Sequence, residues 1–189
     1  MRGDGGLRVV WLAWAVALAA GACGGGTLSP DGASSPDGAP PGMCGAGVPP
    51  GQACNTLSNA GSPITPTCVS GTIPVGTGGT IVDGTYVLTS QTHYQDTSCS
   101  MLPLSETIAF AGDCIQVVFG SIFSGTQSGT LTTQGNTFTA TQTCQHLDVD
   151  AAVTIMDAQM KTYTATSTTF TLFSVYAATG SDIAVFTRR

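Results

Sequence analysis

Beyond the first 23 residues, the aromatic side chains of this chain are confined to one stretch. Between Gly24 and Thr85 there is no Phe, Trp, Tyr, Lys, Arg, Glu or His, and apart from Trp11 and Trp14 every aromatic residue lies at or beyond Tyr86. A segment without bulky apolar groups cannot offset the entropy of ordering itself. The hydrophobic core must therefore come from the last part of the chain, 79–189, and everything before it is leader, linker or tethered loop.

Within 79–189 the pattern is that of short strands. Runs of Thr, Val, Ile, Phe and Tyr are punctuated by Gly, Asp, Asn and Ser, which is strand and turn chemistry. The spacing predicts a strand over Gly84–Tyr94, then Glu106–Ala111 and Cys114–Phe119 around a Gly112-Asp113 turn. Thr130–Thr133 and Thr137–Thr143 flank Gln134-Gly135-Asn136, Tyr163–Thr166 and Phe170–Tyr176 flank Ser167-Thr168-Thr169, and Ile183–Thr187 closes the set. Ile115, Val117 and Phe119 share a face, as do Phe170 with Leu172 and Ile183 with Val185, so one side of each strand is buried. Val149–Met160 carries apolar residues at helical spacing and reads as a short helix, with a strand over Ala151–Met156 as the other option. The expected fold is all-β: an antiparallel up-and-down barrel of about eight strands, lipocalin-like, with a β-sandwich as the alternative.

Upstream, Ser29-Pro30-Asp31-Gly32 recurs as Ser35-Pro36-Asp37-Gly38 and runs into Ala39-Pro40-Pro41-Gly42. Such Pro- and Gly-rich sequence is a spacer, and 23–42 is expected to be disordered linker. Residues 43–78 contain Cys44, Cys54 and Cys68 but no aromatic side chain, and read as irregular loop held down by disulfides.

The chain opens with Arg2 and Arg8 around a short polar start, followed by an apolar run from Val9 to Ala20 that breaks at Gly21. A charged start and a short apolar stretch are the parts of a secretory signal, assigned to 1–22. Ala20-Gly21-Ala22-Cys23 resembles the lipobox of bacterial lipoproteins, with Ala20 where that family usually carries Leu. The resemblance implies cleavage before Cys23 and acylation of its thiol. Two or more acyl chains attach a protein stably, at about 0.8 kcal/mol per buried methylene. Gly24 rather than Asp after that Cys implies outer-membrane rather than inner-membrane placement; plain secretion is the alternative. Gly84–Thr89 and Val185–Arg188 further resemble the opening and closing strands of Thr-rich, lipocalin-like lipoproteins of predatory soil bacteria, a group that lends no activity.

Seven cysteines leave an odd thiol in an exported chain. With Cys23 taken by lipid, Cys44, Cys54, Cys68, Cys99, Cys114 and Cys144 remain, an even set that reads as disulfides in an oxidising compartment. Their spacings contain no close pair of the kind zinc sites use. Connectivity stays open, but three of the six lie on each side of Tyr86, so at least one bridge must join the N-terminal segment to the barrel if all are paired.

Charge and composition narrow the function. A formal net charge of −6 with only five Lys and Arg is unsuited to nucleic acid, whose phosphates demand clustered cations. One Glu, two His and no nucleophile elbow leave little general acid–base chemistry, so no enzyme, catalytic residue or cofactor is expected and a hydrolase is the lesser reading. His146, Asp148 and Asp150 would share a face of an extended segment and are weak metal candidates; an acidic solvated loop is the plainer reading. His93, beside Tyr94, reads as an exposed or hydrogen-bonded side chain. The expected role is a membrane-anchored envelope module of structure or interaction. The alternative is a barrel holding a small apolar ligand, its cavity lined by Tyr86, Leu88, Phe110, Phe119, Phe138 and Phe170. The envelope partner or ligand is not legible.

Overall fold

The computed structural model describes residues 44, 48, 51–95, 101–121, 123–148, 160–176 and 180–189. The leader, the linker to 42, Cys23, Cys99, Asp150 and all of the helical reading over 149–160 except Met160 lie outside the described residues.

Among the described residues nine strands form one sheet: β1 Thr67–Val69, β2 Gly84–Tyr94, β3 Ser105–Ala111, β4 Cys114–Gly120, β5 Ser124–Gln134, β6 Thr137–Leu147, β7 Met160–Ala165, β8 Thr169–Tyr176 and β9 Gly180–Arg188. β2 to β9 pair in chain order, and β9 returns to pair with β2. All eight of those pairings are antiparallel, so the sheet is a closed up-and-down barrel rather than a sandwich. Closure removes the free edges that a chain with so few charges could not guard. β1 lies parallel to the end of β2, with Cys68 opposite His93.

The turns follow from the sequence. Gly112 takes φ +60° at the first position of a two-residue turn, a conformation that glycine adopts without strain. Alternation then sends Tyr86, Leu88, Ile108, Phe110, Ile115, Val117, Leu131, Phe138, Phe170, Leu172, Ala184 and Phe186 inward, each 8% exposed or less. Phe170 sits at the centre, with ring centroids of Phe110, Phe138, Tyr163 and Phe186 at 5.1, 5.4, 6.2 and 6.0 Å. Two register shifts adjust this pattern: one on β2 between Leu88 and Ser90, the other between Ser128 and Gly129 against β6.

Several elements are longer than the propensities suggested. β5 begins at Ser124, not Thr130, and β6 runs on to Leu147, so His146 is strand rather than loop. The segment before the barrel is ordered by the barrel's outer wall. Cys54 bonds to Cys144 of β6, and Cys44 to Cys114 of β4. Beyond Cys54, Asn55 donates to Val117 O and Gln127 O, Asn59 donates to Ser105, and Ala60 N donates to Thr107 Oγ1. This arm explains why β3 is buried on both faces over Ser105–Phe110. Further on, Gly78 bridges to β7 beside Thr164, reinforcing a seam where β6 and β7 share a single register pair, Thr137 with Thr162.

Candidate functional site: the polar half of the barrel interior

The two ends of the barrel differ. One carries the tight connections 112–113, 135–136 and 166–168. The other carries 95–104, 121–123, 148–159 and 177–179, including the two longest. The interior divides along the same axis. Across β2, β9, β8 and β7 the inward positions form three register rows. Nearest the tight turns is Leu88–Phe186–Phe170–Ala165, in the middle is Gln91–Ala184–Leu172–Tyr163, and nearest the long loops is His93–Asp182–Ser174–Lys161. Side chains in adjacent register positions stand close enough to interact. The change from aromatic to polar is thus written into two-residue steps along each strand.

The opposite wall repeats it. Glu106 on β3, Gln127 on β5 and Gln142 on β6 occupy inward positions toward the long-loop end, while Phe110, Leu131 and Phe138 lie toward the tight turns. Gln91, His93, Glu106, Gln127, Ser174 and Asp182 are all 4% exposed or less. Burial alone pushes the Glu106 carboxyl from its usual 4.5 up to about 8. At neutral pH it is therefore mostly protonated and can both donate and accept.

His93 and Asp182 form the ordered part of this half. Nδ1 of His93 lies 2.7 Å from Asp182 Oδ1 and Nε2 lies 3.0 Å from Gln95 Oε1. The backbone of Gly180 packs on the ring: a Cβ there would sit 3.1 Å from two ring atoms and 2.4 Å from Tyr94 O.

Other polar atoms here lack hydrogen-bond partners. They are Gln91 Oε1, both amide atoms of Gln127, Gln142 Oε1, Ser174 Oγ and Asp182 Oδ2. Burying such a group unpaired costs about 1–3 kcal/mol. Between Val117, Gln127, Ala140 and Gln142 there is a cavity of about 10 Å³, room for a single water.

The sequence-derived candidates fall in different places. Tyr86, Leu88, Phe110, Phe138 and Phe170 pack on one another and fill the tight-turn half, and Phe119 lies half-buried in the other. His146 Nε2 lies 3.2 Å from Asp148 Oδ1 in a partly exposed pair. The Sγ atoms of Cys44 and Cys114 lie close to Asp113, but those two sulfurs are bonded to each other. Cys68 is also disulfide-bonded. Sequence reasoning missed the polar half. The available signal was phase: Ser174 continues the inward series of Phe170 and Leu172, and Asp182 that of Phe186 and Ala184.

No protein-family model, curated protein or solved structure matches this chain. The class the fold defines is a closed eight-stranded antiparallel up-and-down barrel with an added parallel strand and a disulfide-pinned N-terminal arm.

Proposed function

We propose that this chain is a lipid-anchored protein of the bacterial envelope that carries its barrel on a linker as a non-enzymatic binding module. The anchor is Cys23, in the Ala20-Gly21-Ala22-Cys23 setting, and the outer membrane is its site. The observation that carries the binding reading is the axial division of the barrel interior, with unsatisfied buried polar atoms gathered toward the end at which β2, β4, β6 and β8 finish. Barrel mouths and the loops around them are where small molecules bind on such scaffolds. An apolar ligand is disfavoured, because the rings that would line its cavity occupy that space themselves.

Fractionation and a thermal-shift screen test the two parts. The intact protein partitions with membranes, and Cys23→Ser releases it to the soluble fraction. Within a panel of sugars, amines, metal ions and fatty acids, at least one class raises Tm by mass action. A soluble wild type overturns the anchor, and a Tm unmoved by every class overturns the binding role.

A further inference from the structure

We infer that the outer wall of the barrel over β8, β9 and β2 is a membrane-contact face, which lies against the lipid surface that holds the anchor at Cys23. This rests on the lipid-anchor reading above and adds how the barrel sits on that surface.

Toward the long-loop end the usual alternation of these strands is inverted. His93, Asp182 and Ser174 point inward, while Tyr94, Phe173, Val175, Ile183 and Val185 point outward and stay partly exposed. In register, Phe173, Ile183 and Thr92 form one outward row, and Val175, Ser181 and Tyr94 form the next. No outward position from Thr85 to Tyr94, Thr169 to Val175 or Ser181 to Thr187 carries a charge. The neighbouring charges lie inside the barrel, as Asp182 does, or at its tight-turn end, as Asp83, Arg188 and Arg189 do. A wall that faces water takes the opposite pattern, polar outside and apolar within. A contiguous uncharged patch of this kind marks an interaction surface. Its hydroxyls are partly engaged within the wall itself: Thr89 Oγ1 donates to Val185 O and lies 3.2 Å from Thr187 Oγ1. A hydroxyl that already has its partner can leave water at small cost.

Size and reach choose the occupant. From strand spacing and rise the uncharged wall covers on the order of 300 Å². Each partner of a stable dimer buries about 800 Å². A second copy would therefore be held weakly, whereas a membrane needs this face only to orient a barrel that acyl chains already retain. The chain from Gly24 to Met43 joins Cys23 to Cys44, which Cys114 holds at the tight-turn end of β4. A chain of that length reaches up to about 65 Å. That exceeds the roughly 35 Å length of a strand such as β2, so the barrel can lie on its side with the linker entering from the charged end. It rests on the membrane and does not span it. The wall from β3 to β5 carries the disulfide-pinned arm with the polar Asn55 and Asn59, and β6 presents exposed Thr137, Thr139 and Thr141. A net charge of −6 favours zwitterionic over anionic headgroups.

The test reconstitutes the full-length protein in phosphatidylcholine vesicles whose acyl chains carry bromine, a quencher of tryptophan emission. Phe173→Trp reports on the face, with Val175→Trp in its place should that variant fail to fold. Thr132→Trp, exposed on β5 across the barrel, is the control. Each spectrum is read as its difference from wild type. Phe173→Trp should emit further to the blue than Thr132→Trp and be quenched about threefold more strongly, as for a ring seated about 5–10 Å into the headgroup boundary. Adding Ile183→Asp to the Phe173→Trp protein should abolish that excess, and an excess that survives it overturns the face. Equal quenching of the two reporters overturns the face whether or not Cys23 is acylated, which intact mass reads separately. Excess quenching in a protein without an acyl chain upholds the face and overturns the anchor. A blue shift that follows protein concentration and needs no lipid assigns the face to a second copy and overturns the inference.

Discussion

His93 and Asp182 face each other across the β2–β9 seam that closes the barrel, Nδ1 to Oδ1 at 2.7 Å, at 0% and 1% exposure. The pair is the ordered anchor of a polar interior. Taking away one member leaves the other buried without its partner, which costs about 3–5 kcal/mol. Asp182→Ala should lower unfolding free energy by about that amount in urea titration. A loss below about 1 kcal/mol would show the pair to be solvated and the seam held by its backbone ladder alone.

Glu106 makes stability depend on pH in the direction opposite to ordinary acid denaturation. Its folded pKa of about 8 lies above the usual 4.5, so the folded state binds the extra proton between those values. The contribution is full below about 4.5 and is lost as pH rises through 8, at no more than about 1.4 kcal/mol per pH unit. Tm should therefore fall from pH 5 to pH 8, and Glu106→Gln should flatten that fall. An equal slope in wild type and Glu106→Gln would contradict the assignment.

Phe170 touches four other rings and is 0% exposed. Phe170→Ala should destabilise by about 3–5 kcal/mol in denaturant unfolding, as expected for a large ring removed from a packed core. A much smaller loss would mean that this half of the barrel is loosely filled, and would reopen it as an apolar ligand site.

The barrel itself was legible because turns and alternation are local. Gly84–Tyr94 reads as a strand with its observed bounds, and Gly112-Asp113 marks its turn by the need for a positive φ at Gly112. The first half of β5, Ser124-Gly125-Thr126-Gln127-Ser128-Gly129, has no aromatic or aliphatic side chain and a single β-branched residue, Thr126, to announce it. Its small residues answer to neighbours instead: a Cβ at Gly129 would lie 2.4 Å from Thr141 O on β6. That constraint exists only once the strands have paired. The polar half was hidden for the same reason. His93, Asp182 and Ser174 are scattered over the sequence, and only the register of three strands makes them a row.

The bridges yield a mapping prediction. Cys54–Cys144 spans 90 residues and pins the arm to β6, so the Cys54→Ala, Cys144→Ala double variant should lose about 2–5 kcal/mol. With Cys23 acylated, Cys68 has only Cys99 left to pair with. Non-reducing peptide mapping should recover that link, and recovery of Cys68 joined to Cys23 would contradict the lipid anchor.

Intact-mass spectrometry of the protein extracted from membranes of cells expressing the whole sequence tests the proposed anchor and its redox setting in one reading. The expected species begins at an acylated Cys23, has every other thiol oxidised, and gives no tryptophan emission because Trp11 and Trp14 have left with the leader. A species that starts at Met1, carries no acyl chain and holds free thiols would contradict the account of a tethered, exported binding barrel.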